Sequence, residues 1–102
     1  MVTINITDHV GRCYSNEDGK VIQHLLKKHL VAGNKITVSF GNVGAVTSSF
    51  VNTAFIELLN EYDFDYIKKS IRFVNSTKQI NDMIKNRFSF EVKRRRNNLL
   101  AV

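Results

Sequence analysis

Residues 35–50, KITVSFGNVGAVTSSF, decide the fold, because an alternating apolar run passes through two glycines to a pair of serines. Ile36, Val38 and Phe40 alternate with polar residues, which is the pattern of a half-buried strand. Beyond the serines the apolar residues recur at helical spacing and predict a helix over about residues 48–61: Val51, Ala54, Phe55, Leu58, Leu59 and Tyr62. The segment therefore predicts a buried strand that delivers two serines to a helix N-terminus.

The residues before this segment predict a strand and a helix. Val2 and Ile4 begin an alternating pattern, which indicates a short opening strand. The stretch 15–18, SNED, resembles a capping box with Ser15 as the cap. The apolar residues that follow lie on one helical face, and the sequence Gly33-Asn34 supplies a C-terminal stop: Val21, Ile22, Leu25, Leu26, His29 and Leu30.

The residues after the segment predict one more strand and one more helix. The strand covers residues 71–74, with an earlier start at Tyr66 as an alternative. Ser76 or Thr77 can cap the helix, whose apolar face holds Ile80, Met83, Ile84 and Phe88. In residues 88–93 apolar and polar residues alternate, so a last short strand competes with continuation of the helix, and we slightly favour the strand.

The order βαβαβα predicts a small α/β domain with a mixed or mostly parallel sheet packed by helices. The strand of Ile36, Val38 and Phe40 is expected at the centre of the sheet. At 102 residues the chain has room for one core, so we assign residues 1–92 to a single domain and residues 93–102 to a basic C-terminal tail.

Composition narrows the class of protein. No apolar run approaches the roughly 18 residues needed to cross a bilayer, so the sequence predicts no membrane insertion. The first residues lack the basic start and apolar stretch of a signal peptide, and Cys13 is the single cysteine. Both features favour a cytoplasmic location.

The sequence offers little catalytic or metal-binding chemistry. His24 and His29 are five residues apart on a predicted helix, which does not suit shared ligation of one ion. His9 and Cys13 make too few ligands, and no phosphate-binding glycine motif occurs. We therefore expect no enzyme activity, no metal and no cofactor.

The positive charge lies near the C-terminus. Residues 78–96 hold +5 of the formal net charge of +6, and the run Lys93, Arg94, Arg95 and Arg96 ends this region. Such a run is usually a solvated tail, and its functional alternative is salt-dependent contact with nucleic acid. The apolar ending, residues 99–102, could instead cover the domain or pair two copies, so a homodimer is a further expectation.

Thr47, Ser48 and Ser49 have two explanations. A hydroxyl residue before an apolar helix is commonly a simple N-cap. The functional alternative is a phosphorylated serine at the helix start, where the helix dipole favours the added charge while the charge and bulk disturb a contact surface.

At these residues the sequence resembles a known family. Residues 36–55, together with the preceding helix, resemble the STAS-like domains, a family named after sulfate transporters and anti-sigma factor antagonists. In the antagonists an apolar strand leads to an Asp-Ser-Ser-Gly or Asp-Ser-Thr-Gly turn whose first hydroxyl residue accepts phosphate from a kinase that is also an anti-sigma factor. Ser48 falls at that position, whereas Thr47 replaces the acidic residue and Phe50 the glycine.

The resemblance covers about residues 12–88 and implies a small α/β domain that works through protein contacts. The partner it implies is an ATPase or kinase, or a transcription regulator. We therefore predict a non-enzymatic interaction or regulatory module, controlled by phosphorylation at Ser48 or Ser49. The predicted partner-binding or phosphorylation residues are Thr47, Ser48, Ser49, Phe50 and Asn52.

Overall fold

The computed structural model describes the backbone of residues 2–100 and the side chains of residues 2–97. The strands are β1 (Val2–Asn5), β2 (Ile36–Ser39) and β3 (Ile71–Val74). The helices are α1 (Asn16–Val31), α2 (Ser48–Ala54), α3 (Phe64–Ser70) and α4 (Lys78–Leu100), and two short 3-10 helices cover Ile6–Asp8 and Ile56–Asn60. No helix within this part of the chain is long and apolar enough to cross a membrane.

The sheet is parallel, with β2 at its centre and the order β1-β2-β3, which confirms the predicted place of the central strand. Ile4, Val38 and Phe73 lie side by side in the register. The connections from β1 to β2 and from β2 to β3 step across the sheet in the same direction. Right-handed crossovers of this kind place their helices on the same face of the sheet. The burial agrees, because Ile4 and Val38 are buried whereas Thr3 and Arg72, on the other face, are exposed.

The first helix forms as the sequence predicts. The Ser15 hydroxyl accepts a hydrogen bond from the Asp18 N–H at 3.1 Å, and the Asp18 side chain accepts one from the Ser15 N–H, which completes the capping box. The helix ends before Gly33, whose φ of +77° is the left-handed conformation that glycine adopts at helix ends. Burial of Ile22 and Leu26 fixes the helix against the core.

The second helical region differs from the prediction of one helix to residue 61. The α-helix stops at Ala54, and a 3-10 helix continues the chain over Ile56–Asn60. The early start of the third strand at Tyr66 is wrong, because this residue lies in α3. The Tyr66 hydroxyl donates a hydrogen bond to the Leu30 carbonyl at 2.7 Å and so ties α3 to the C-terminal end of α1.

The predicted strand at residues 88–93 is also wrong, because α4 continues through this segment. Phe88 is buried and Phe90 is 56% exposed, so the two residues lie on different sides of the helix and not on one buried face of a strand. Glu91 lies on the buried side, where Arg94 and Arg95 bind its carboxylate. At the start of α4 the Thr77 hydroxyl accepts a hydrogen bond from the Ile80 N–H at 3.2 Å, which confirms one of the two predicted caps.

The C-terminal predictions have mixed outcomes. The helix crosses residues 92 and 93 without a break, and the division of the chain at that point stays a prediction. The apolar ending at residues 99–102, proposed to cover the domain or a second copy, lies outside the described side chains.

Four phenylalanines join the sheet to the helix that follows it. The ring of Phe55 lies 6.2 Å from those of Phe40 and Phe50 and 5.2 Å from that of Phe73, each in an edge-to-face arrangement. Such pairs hold their rings at a defined angle. The cluster therefore fixes α2, and the serines at its start, relative to β2 and β3.

Candidate functional site

The candidate site lies beyond the carboxyl ends of β1 and β2, where the loops that lead into α1 and α2 meet. This is the end of a parallel sheet at which ligands generally bind. A shallow cavity of about 290 Å³ lies between the loops. Its lining comes from both segments: Thr7, Val10, Gly11, Arg12, Cys13, Tyr14, Asn42, Val43, Gly44 and Ala45.

Thr47 joins the two loops through hydrogen bonds and caps the N-terminus of α2. Its N–H donates to the Cys13 carbonyl at 3.1 Å, and its hydroxyl donates to the Tyr14 carbonyl at 2.6 Å. The same hydroxyl accepts from the Phe50 N–H at 3.2 Å, so Thr47 is the N-cap. Of Thr47, Ser48 and Ser49, it is therefore Thr47 that caps the helix.

Ser48 and Ser49 occupy the first two positions of the helix, and both are exposed. Neither hydroxyl has a hydrogen-bond partner among residues 2–97. Their backbone is nevertheless held in place, because the cap Thr47 precedes them and the buried Phe50 follows them. The two hydroxyls are therefore available to a partner on a fixed support.

The other two predicted site residues have internal roles. The Phe50 side chain is 0% exposed and packs against Phe55, so it anchors the helix in the core. Asn52 is half-buried, and its Oδ1 accepts a hydrogen bond from Arg87 Nε at 2.9 Å, which links α2 to α4. The structure thus separates the five predicted residues into a cap, two exposed hydroxyls and two internal contacts.

The candidate site includes two further residues, which the sequence analysis did not identify. Tyr14 is 52% exposed although its carbonyl accepts a hydrogen bond from Thr47, and Arg12, two residues before it, is also exposed. Arg12 makes no ion pair within the described side chains. We name this group of exposed residues, Arg12 and Tyr14 on the loop before α1 and Ser48 and Ser49 at the start of α2, the serine corner. The sequence signal that could have identified Tyr14 is its position immediately before Ser15, the cap of α1.

Cys13 lines the cavity between the loops and is 3% exposed. Burial, with a smaller contribution from the negative charge of Asp18, raises the pKa of the Cys13 thiol to about 11. The thiol is therefore protonated near neutral pH, which is unfavourable for a nucleophile. Among the described side chains, no group of three or more His, Cys, Asp and Glu residues could hold a metal ion.

The basic run near the C-terminus is helical in the structure, and two of its arginines bind within the chain. Arg94 Nε lies 3.1 Å from Glu91 Oε2, and these hydrogen bonds hold the pKa of Glu91 below its usual range. Arg95 donates to the Leu59 carbonyl at 3.2 Å and also contacts Glu91. Lys93 and Arg96 remain exposed, and contact with nucleic acid stays a prediction.

We expect Thr47→Val to reduce the free energy of unfolding by about 1–2 kcal/mol, because it removes the helix cap and leaves the Tyr14 carbonyl without its donor. Chemical denaturation measures this change. Ser48→Ala is the matched control, since it deletes a neighbouring hydroxyl that has no partner in the described part of the chain. Equal stability of the two variants would contradict the structural role of Thr47.

Comparison with known proteins agrees with the fold and with the resemblance noted in the sequence. The family model described as STAS-like domain of unknown function (DUF4325) matches residues 18–81 of the chain. The matched range runs from the first turn of α1 to the first turn of α4 and includes Ser48 and Ser49. No similar curated protein and no similar solved structure was found.

Proposed function

Because the chain belongs to the family of STAS-like domains of unknown function, we propose that it is a non-enzymatic regulatory module that binds a partner protein through the serine corner. The observation that carries this proposal is the pair of exposed hydroxyls, without a hydrogen-bond partner among residues 2–97, beside a loop junction fixed by Thr47. Binding residues are often found on loops that a rigid scaffold positions.

Tyr14 gives this surface the means to bind a protein. Tyr14 has a large ring and is more than half exposed as a residue, whereas its backbone is held by Thr47, so binding would order few additional groups. Tyrosine is enriched among the residues that dominate the energy of protein interfaces. Arg12 adds a charged group that can pair with an acidic residue of the partner.

The protonated and buried state of Cys13 supports a binding role over catalysis. The only cysteine of the chain lies in the cavity wall, yet it is not poised as a thiolate. The cavity itself is about 290 Å³, just below the usual range for ligand pockets. A partner that contacts the rim of the loops would use the exposed groups and leave the thiol covered.

Phosphorylation of Ser48 is the regulation that we propose for this surface. A phosphate would add about −1.5 to −2 charges at neutral pH next to Tyr14 and would alter both the charge and the shape of the contact surface. A partner of the ATPase or kinase class could supply the phosphate, as the resemblance to anti-sigma factor antagonists implies. A transcription regulator is the other class of partner that the resemblance implies.

Affinity purification from the native cell tests the proposal, with the recovered partner titrated against the purified variants. We expect Ser48→Asp and Tyr14→Ala to weaken binding by about tenfold or more, and Ser48→Ala to bind as the wild type does. Asn86→Asp is the matched control, because it adds one negative charge at an exposed position of α4.

Each outcome has a clear meaning for this proposal. Equal affinities of Ser48→Asp and Ser48→Ala would reject control by phosphorylation of Ser48, but would not reject the serine corner as the contact surface. Unchanged binding by Tyr14→Ala and Ser48→Asp together would reject the serine corner as the interface.

A further inference from the structure

The outer edge of β3 has backbone groups that no other strand of the described sheet pairs. β3 is a terminal strand in the order β1-β2-β3. The Phe40 N–H donates to the Val74 carbonyl at 3.0 Å, so Val74 directs its backbone groups toward β2. Because neighbouring residues of a strand direct these groups to opposite sides, the N–H and carbonyl of Phe73 point away from β2. An exposed edge of this kind is a template for another strand.

An apolar groove lies beside this edge, on the face of the sheet that the helices cover. Its volume is about 470 Å³, larger than that of the cavity at the serine corner. Side chains of α3, β3 and α4 form its apolar lining: Phe64, Ile67, Ile71, Phe73 and Phe88. Phe64 and Phe73 are only half-buried, so the groove offers apolar surface to an incoming side chain.

Three cations surround the groove and the edge. Lys68 of α3 and Lys85 of α4 line the groove, and both are exposed. Arg72 is exposed on the opposite face of β3. None of the three forms an ion pair within the described side chains. The charge complement of this surface is therefore acidic.

We propose that the groove and the free edge of β3 bind an extended segment of a partner protein in which apolar and acidic residues alternate. The segment adds to the sheet as a strand next to β3, and its backbone pairs with that of Phe73. Its apolar side chains enter the groove at every second position. The acidic side chains between them lie on the face of Arg72, and acidic residues at the ends of the segment reach Lys68 and Lys85.

The charge distribution favours this occupant over a second copy of the chain. The other edge strand of the sheet, β1, has the sequence VTIN and carries no acidic residue. A symmetric β3 to β3 pairing would bring like charges of Lys68 and Arg72 together, which is unfavourable. The groove and the edge share no residue with the serine corner, so the inference does not depend on the proposed function.

A fluorescently labelled peptide of about eight residues, a typical strand length, tests the inference when valine and aspartate alternate in it. A peptide of the same composition with all its valines in one block is the control. We expect the alternating peptide to bind more tightly by about tenfold in fluorescence anisotropy, because only that pattern directs valines to the groove face and aspartates to the face of Arg72.

Two charge-reversal variants separate specific recognition from general attraction. Arg72→Glu combined with Lys68→Glu should weaken binding of the alternating peptide by about tenfold, because the aspartates lie on the face of Arg72 and the end of the segment reaches Lys68. Lys20→Glu combined with Lys28→Glu makes the same change in net charge at exposed positions of α1 and should have little effect. Equal losses in the two double variants, or equal affinity for the two peptides, would overturn the inference.

Hydrogen exchange in the wild-type protein identifies the binding mode without a variant. Addition of the alternating peptide should slow exchange of the Phe73 amide, because this N–H gains an acceptor in the added strand. Unchanged exchange at Phe73 under saturating peptide would overturn strand addition.

Discussion

Gly19→Val is expected to reduce the free energy of unfolding by about 3 kcal/mol or more, because helices α1 and α2 approach too closely at this position for a side chain. A Cβ atom at Gly19 would lie 2.7 Å from the Thr53 Cβ and 3.0 Å from the Phe50 carbonyl oxygen. One of these neighbours is backbone, so a rotamer change cannot relieve the contact. The two helices would have to separate.

Thermal denaturation measures the effect as a fall in Tm of roughly 10–20 °C, given the scaling for a domain of this size. Gly44→Val is the control, because no atom lies within 4 Å of the Cβ position at Gly44 and its φ is not positive. Equal Tm values for the two variants would show that α1 and α2 are not in this close contact. Because Phe50 and Thr53 belong to α2, we also expect Gly19→Val to disturb the serine corner.

Phe55→Ala is expected to reduce the free energy of unfolding by about 3–5 kcal/mol, the range for removal of a buried aromatic side chain. The ring is 0% exposed and makes edge-to-face contacts with the rings of Phe40, Phe50 and Phe73. Its loss would leave a cavity between the sheet and α2. A small domain has a total stability of only about 5–15 kcal/mol, so this variant approaches complete unfolding.

Phe90→Ala is the matched control for Phe55→Ala in chemical denaturation. Phe90 is 56% exposed, and the Arg87 guanidinium lies 5.4 Å from the centroid of its ring. We expect this control to lose less than about 1 kcal/mol. Similar losses in the two variants would contradict the buried aromatic cluster.

The elements that the sequence predicted correctly have local signals. Ser15 and Asp18 specify the start of α1 through a capping box that needs only adjacent residues, and Gly33 specifies its end. Alternation of Ile36 and Val38 with polar residues identified the central strand. These signals are short in range, so a single sequence is sufficient to interpret them.

The elements that were predicted wrongly depend on contacts between distant residues. The assignment of α3 follows from the bond of Tyr66 to Leu30 and the burial of Ile67, neither of which leaves a periodic signal in seven residues. In α4, alternation at Phe88 and Phe90 matched a strand, whereas the buried side includes Glu91. A buried carboxylate is not expected until its arginine partners are located.

The helix start at the candidate site was predicted, whereas the contacts around it were not. The sequence placed Ser48 and Ser49 at a helix start, as the structure does. It could not show that Thr47 takes the capping role through bonds to the Tyr14 carbonyl and the Phe50 N–H, because the Tyr14 contact joins residues 33 positions apart. The exposure of Tyr14 likewise follows from the meeting of two loops, which no local pattern predicts.

Amide hydrogen exchange of the complex with the native partner, resolved by residue, tests the central claim most directly. Ser48 and Ser49 occupy the first positions of α2, where backbone N–H groups have no acceptor in the helix and exchange rapidly in the free protein. We predict that the partner slows exchange of these two amides and of the amides at residues 12–14 by about tenfold or more. Unchanged exchange at the serine corner in a saturated complex would contradict the account.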